Sequence, residues 1–258
     1  MIKLKEILNW PHVPVNSEAI SHLHSKFPTI SFSNISGHDD WDWVFNEKDN
    51  FLALSYRPWR ERVLPIFLTV ANRGAPDFHG LLCKSLWGKK YQKSNLPPLV
   101  IDATGGLLKD AMDLRFFTSE LWIFERHPLL QILITHFFNY IWKKDPWLNT
   151  KIQFYPQDFL FLTVEKDPGR PWQLYYDPMF EDDAKSLPSS SMQLMQKLME
   201  ETDNAPANPI EIWERWKTMP NLEKIIIKRS PKSAPFFGHV GPTYSLHSKL
   251  LRLDIYQL

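Results

Sequence analysis

Two patterns of apolar residues divide the chain. Up to residue 96 the hydrophobic segments are short and strand-like, at 30–32, 41–45, 51–56 and 63–70. Residues 46–50 and the stretch around Pro58 carry the turn formers between them. This pattern predicts a small α+β N-terminal domain over 1–96, largely antiparallel. Its polar end, residues 89–98, closes on Pro97-Pro98 and reads as a linker. Beyond it the runs become continuously apolar and alternate with helical stretches. Strands are predicted at 99–103, 121–125, 152–155, 173–177 and 224–228, and helices at 107–117, 128–142, 189–202 and 209–217. Pro128 suits the first turn of its helix. Alternation of this kind builds an α/β, doubly wound, Rossmann-like parallel sheet over 97–258. Residues 243–258 hold two strand-like segments with no room for a helix between them, so the sheet is expected to end in an antiparallel hairpin.

Composition supports a folded globular chain: of 258 residues, 43% are hydrophobic, 14% aromatic and 23% charged. The most apolar helix, 129–142, is interrupted by Gln131, Thr135, His136 and Asn139, which argues against a membrane span. The first residues, MIKLKEILNWPH, lack the apolar core of a secretory signal, and Cys83 is the only cysteine. Both features point to a cytoplasmic protein without a disulfide or a cysteine zinc site. No metal is expected elsewhere, since His22 and His24 fall on different faces of a helix. The tryptophans are expected mainly in the core. Net charge is +1, but Lys224, Lys228, Arg229, Lys232, Lys249 and Arg252 fall in a stretch without Asp or Glu. Lys84, Lys89, Lys90 and Lys93 are interleaved with Trp87 and Tyr91. Each group is either a solvated face or a phosphate-neutralising patch. Lys228 and Arg229 are the phosphate-contact candidates.

Four segments carry candidate chemistry. The first runs from Asp102 to Asp110 and includes Thr104-Gly105-Gly106 between a strand and a helix. Gly106 allows the backbone to approach a ligand closely, although the spacing is a poor dinucleotide fingerprint. The second is Glu125, about twenty residues beyond Gly105, where an acid accepts hydrogen bonds from an adenosine ribose. Beside it, Arg126 either covers the adenosine or faces solvent. In the third, Asp158 is placed to accept from an adenine amino group and Phe159 to pack on its ring. The fourth is Asp177-Pro178-Met179-Phe180 at the carboxyl edge of the sheet. Methylation of a planar exocyclic amine needs such a group. The Asp177 carboxylate and the Pro178 carbonyl can each accept an N–H bond and turn the delocalised lone pair outward, while Phe180 stacks on a base swung out of its helix. Taken singly, each segment also has an ordinary reading as a turn, a cap or a core aromatic.

Together, VIDATGGLLKDA, IFERHP, YYDPMF, IIIKRSPKSAP and RLDIY resemble the RsmJ family, bacterial methyltransferases of a guanine N2 amine in small-subunit ribosomal RNA. The resemblance spans roughly residues 99–256. It implies S-adenosyl-L-methionine as methyl donor, and ribosomal RNA or the small ribosomal subunit as partner. It places Lys109, Asp110, Glu125, Arg126 and Asp177 in the donor site, with Asp177 also beside the target amine. Leu108 stands where the family carries glycine, which is expected to crowd the donor loop. Lys109 stands where it carries arginine, and Asp158 and Phe159 where it carries small hydroxyl residues. The segment Arg73 to Gly80 has fewer glycines than the family pattern. Leu108 and the missing glycines motivate one alternative, a non-catalytic RNA-binding relative; the others are a methyltransferase of a non-RNA substrate through the same Asp-Pro motif, and a nicotinamide-dependent oxidoreductase, against which the poor dinucleotide fingerprint counts.

Overall fold

A computed structural model describes residues 12–14, 40–46, 51–59, 63–64, 77, 79–88, 99–141, 151–161, 168–178, 190–200 and 208–258. The chain forms two compact units. One contains residues 1–73, 127–144 and 186–204, and the other residues 74–126, 145–185 and 205–258.

The first unit carries a four-stranded antiparallel sheet in sequence order, from β1 (His12–Pro14) through β2 (Trp41–Asn46) and β3 (Phe51–Tyr56) to β4 (Val63–Leu64). Trp41, Trp43 and Leu54 are fully buried, so these two tryptophans are core residues, while Trp59 is exposed. The Arg57 guanidinium pairs with Asp42 at 2.8 Å. Of the expected N-terminal strands, 30–32 and most of 63–70 lie outside the described residues.

In the second unit, α1 (Leu81–Trp87) precedes a seven-stranded sheet. Its strands are β5 (Val100–Asp102), β6 (Glu120–Phe124), β7 (Lys151–Tyr155), β8 (Trp172–Tyr176), β9 (Leu222–Arg229), β10 (Tyr244–His247) and β11 (Arg252–Gln257). Their spatial order is β10-β11-β9-β8-β5-β6-β7. The first five run parallel, while β11 is antiparallel to both β9 and β10. The expected terminal hairpin is therefore present, and Rossmann-like alternation holds through β9. α2 (Ala111–Leu114) follows β5 and is much shorter than the predicted 107–117 helix, because residues 107–110 form turns instead.

α3 (Pro128–His136) starts on Pro128, and the ring of its N-cap His127 accepts the Leu129 N–H at 3.2 Å. Next along the chain is α4 (Ser190–Glu200). α5 (Pro209–Trp216) repeats the device of α3, with Asn208 accepting from Ile210 N–H at 3.0 Å. In both, proline occupies a position whose N–H would lack a helical partner, and the cap satisfies the next orphan donor.

The single domain cut at residue 96 gives way to a different division. α3 and α4 belong to the unit of the N-terminal sheet, and the Lys197 ammonium of α4 lies 5.6 Å from the Tyr56 ring centroid. α1, in the predicted N-terminal domain, belongs to the seven-stranded unit. Its Trp87 indole donates to the Phe117 carbonyl at 3.0 Å. The buried Lys224 ammonium donates to the carbonyls of Ser85 and Leu86 at 3.1 and 2.8 Å. A cation at the carbonyl-rich end of a helix satisfies acceptors that lack helical donors.

One aromatic cluster packs against the sheet of this unit. Phe159, Trp172, Trp216, Phe237 and Tyr256 are buried in it, joined by edge-on ring contacts at centroid distances of 5.0–6.4 Å.

Candidate active site at the carboxyl edge of the sheet

The turn after β5 is stitched to both neighbouring strands. Gly105 N–H donates to the Phe124 carbonyl at 2.7 Å, and Gly106 N–H donates to Glu125 Oε2 at 2.7 Å. On the other side, Ala103 N–H donates to the Tyr175 carbonyl at 2.9 Å. The Asp177 N–H donates to Thr104 Oγ1 at 2.9 Å, and Thr104 returns its own N–H and hydroxyl to Asp102 Oδ1 at 3.0 and 3.3 Å. Parallel pairing puts the ends of β5, β6, β8 and β9 on one edge of the sheet. These bonds gather Asp102, Glu125 and Asp177 around one glycine turn. Gly106 has φ 49°, a left-handed conformation that glycine adopts at little cost.

Leu108 adopts φ 58° in the same turn, which explains why glycine suits the position. Its side chain is 0% exposed, so it points into the protein interior. The expected crowding of the donor loop by this side chain is not what the fold produces.

The charges of the site form one partly buried network. The Lys228 ammonium donates to Asp110 Oδ2 at 2.7 Å and to Asp177 Oδ2 at 2.8 Å. The Tyr175 hydroxyl donates to the same Asp110 oxygen at 2.6 Å. Burial opposes the Lys228 charge, but the two carboxylates outweigh it and hold the ammonium above its ordinary range. Burial, reinforced by the neighbouring acids, pushes Tyr175 well above the usual phenol range. Asp102 is raised to about 8, first by burial and further by Asp110 and Asp177, against the lowering effect of the Thr104 bonds. Its carboxyl group is therefore largely protonated at neutral pH.

The remaining candidates divide. Lys109 and Arg126 are exposed near the turn. Burial raises the Tyr176 hydroxyl, and the charges of Arg126, Asp158 and Asp177 all act on it, which places these three in one neighbourhood. Asp158 Oδ1 accepts the Leu160 N–H at 2.9 Å and so caps the short turn Phe159–Phe161. Phe159 is a correction: it is 1% exposed and enclosed by Phe124, Trp172 and Trp216, with no open face for an adenine. Pro178 is half-buried beside Asp177, while Phe180 lies outside the described residues.

Four of the six cations in the acid-free stretch are committed inside the fold, and neither reading of the stretch describes them. Lys224 caps α1, Lys228 is held by Asp110 and Asp177, and Arg229 donates to the Ala234 carbonyl at 2.7 Å. Arg252 is bound at two atoms to Asp254, at 2.8 and 2.9 Å. Lys232 and Lys249 are exposed. Lys89, Lys90 and Lys93 of the other basic group lie outside the described residues. Sequence reasoning misses the structural roles of Thr104, Tyr175 and Lys228. The available signal is that each stands inside a motif or strand end already singled out.

A parallel sheet that finishes in an inserted antiparallel hairpin, with an acid closing the strand next to its glycine turn, defines a Rossmann-like methyltransferase. The chain belongs to the SAM_MT family of SAM-dependent methyltransferases, whose model matches residues 86–258. That membership removes the oxidoreductase alternative. A Serratia proteamaculans protein named Ribosomal RNA small subunit methyltransferase J is 30% identical over 168 residues, 64% of this chain and 65% of that protein. Proteins of the same name from Buchnera aphidicola and Alkalilimnicola ehrlichii are 27% and 24% identical, over 64% and 61% of this chain and 65% and 60% of theirs. The matched segment thus spans less than two thirds of the length of these relatives. The fold is shared with a SAM-dependent methyltransferase of Neisseria gonorrhoeae, at a TM-score of 0.55 and 17% identity, over 93% of this chain and 92% of that one.

S-Adenosylmethionine is the cofactor of this family, and the residues present fit it. The turn at Gly105-Gly106 is bare of side chains, the buried Glu125 carboxylate sits against it, and further carboxylates and two exposed cations surround it. No helix among the described residues is long and apolar enough to cross a membrane, and no cluster of three His, Cys, Asp or Glu residues there is arranged to hold a metal.

Proposed function

We propose that this protein methylates the exocyclic N2 amine of a guanine in small-subunit ribosomal RNA, acting in the cytoplasm on free RNA or on the small subunit. The observation that carries the reading is the bond from Asp177 N–H to Thr104, which ties the Asp-Pro turn to the glycine turn that Glu125 holds. The name shared by the relatives adds ribosomal RNA as substrate class.

In this reading Glu125 accepts from the donor's ribose and Asp158 from its adenine amino group. Gly106, Lys109, Asp110 and Arg126 line the donor site, where Lys109 and Arg126 supply positive charge. When bound, S-adenosylmethionine would supply an electrophilic methyl group on sulfur; the C–S bond would break as the C–N bond forms, the neutral thioether S-adenosylhomocysteine would leave, and one amine proton would pass to water. Asp177 and the Pro178 carbonyl accept the amine N–H groups and orient the lone pair. Phe180 holds the extruded base. Catalysis rests on positioning and preformed electrostatics, with no covalent enzyme intermediate.

The test is incubation with methyl-labelled donor and small subunits from cells lacking this methylation. Label in the RNA is expected. Label confined to protein, or none with folded enzyme that binds the donor, overturns the reading.

A further inference from the structure

We propose that Lys228 is the positioning residue that sets the orientation and charge of Asp177 for amine recognition, with Asp110 as its counter-anchor. The inference rests on the proposed role of Asp177 and extends it to a residue on a different strand.

Its basis is geometric. Tyr176 on β8 pairs with Ile227 on β9, so Lys228 and Asp177 are the next step along two parallel strands. One ammonium bridges Asp110 Oδ2 and Asp177 Oδ2, at 2.7 and 2.8 Å. Tyr175 of β8, two residues before Asp177, donates its hydroxyl to the Asp110 oxygen that Lys228 also uses. Asp110 is thus fixed from two sides, and Lys228 carries that fixity across to Asp177. Asp102, just before the glycine turn, acts electrically with Asp110 and Asp177, while Arg126 and Asp158 act together with Asp177 on the neighbouring Tyr176.

A carboxylate that is to orient an amine must stay anionic and must not turn away. Without the ammonium, Asp110 and Asp177 face each other as like charges in a partly buried site. One of them then takes up a proton or moves. An ordinary solvent-facing lysine would carry no such consequence, nor would a phosphate contact on the surface.

The experiment compares Lys228→Met, Lys228→Arg and the double variant Lys228→Met with Asp110→Asn. Methyl transfer to hypomethylated small subunits is followed against pH, alongside donor binding by calorimetry and 13C NMR titration of the aspartate carboxyl groups. Lys228→Met is expected to lower kcat on the order of 10²-fold, the scale of an ångström-level misplacement. Donor affinity falls far less, and the acid limb of the pH profile moves upward. Lys228→Arg restores part of kcat, and so does the double variant at saturating donor, because it removes one of the repelling charges. Wild-type kcat and pH profile in Lys228→Met overturn the inference, as does a double variant that keeps the donor affinity of the single variant and has a lower kcat. If the wild-type protein labels no RNA, the functional reading fails, and the carboxyl titration alone judges Lys228. An upward move of an aspartate titration in Lys228→Met supports the inference, and an unchanged titration overturns it.

Discussion

Asp177 is joined to Thr104 by a backbone-to-hydroxyl hydrogen bond of 2.9 Å, across two strands of the sheet. The same hydroxyl donates to Asp102, so the Asp-Pro turn is fixed through a short relay ending on a buried carboxyl group. The sites proposed for donor and amine are therefore mechanically one object.

Thr104→Val keeps the shape and removes the acceptor. The Asp177 N–H then loses its partner, a loss worth roughly 1–3 kcal/mol when the donor is shielded from water. Methyl transfer is expected to fall in the Thr104→Val protein, while Thr104→Ser, which keeps the hydroxyl, stays close to wild type. Steady-state kinetics of the two variants check this, and equal rates would remove Thr104 from the account.

Asp102 makes stability depend on pH in an unusual direction. Its folded-state value is about 8, above the ordinary carboxylate value of 3.8. Between those values the folded state holds a proton that the unfolded chain has released. The contribution is therefore complete below about pH 4 and is lost as pH rises through about 8. Thermal denaturation from pH 5 to 8.5 should show a steeper fall in Tm for wild type than for Asp102→Asn. Parallel curves would contradict it.

Leu108→Gly relieves the left-handed strain of a leucine, worth about 1–2 kcal/mol. It also deletes a fully buried side chain, where large-to-small changes cost roughly 2–5 kcal/mol. The two ranges leave a loss of roughly 0–4 kcal/mol, about 2 kcal/mol at their midpoints, so a less stable protein is expected in urea denaturation. A gain in stability would show that strain, and not packing, dominates this turn.

Glu125→Ala removes the carboxylate that receives the Gly106 N–H and the proposed ribose contact. A hydrogen bond to a charged group is worth about 1.5–3 kcal/mol, so donor affinity should drop by roughly ten- to a hundredfold in calorimetry. Unchanged affinity would place the donor elsewhere.

Much of this fold is legible in the sequence because its signals are local. Continuous apolar runs mark β5 and β9, prolines mark the starts of α3 and α5, and two adjacent strand patterns mark the closing hairpin. The grouping of Glu125, Asp177 and the glycine turn follows from their common position at strand ends. What escapes depends on long-range packing. α1 reads in the sequence as the approach to a linker, because the lysines around it hide a helix pinned by Trp87 and Lys224. The acid-free stretch resembles a phosphate surface, yet Lys228 and Arg252 meet acids at residues 110, 177 and 254, two of them far away in sequence. Phe159 follows an aspartate as an adenine-packing aromatic would, and only the fold reveals that three aromatic rings enclose it.

In the proposed reaction, Asp177 presents a guanine amine to the donor held beside Glu125. Nucleoside mass spectrometry of RNA from hypomethylated small subunits, treated with wild-type or Asp177→Asn protein, tests it most directly. N2-methylguanosine at one position is expected with wild type. With Asp177→Asn a rate lower on the order of 10²-fold is expected, although the variant still binds the donor. Methylation of another base atom or of a ribose, or full activity without the Asp177 carboxylate, would contradict it.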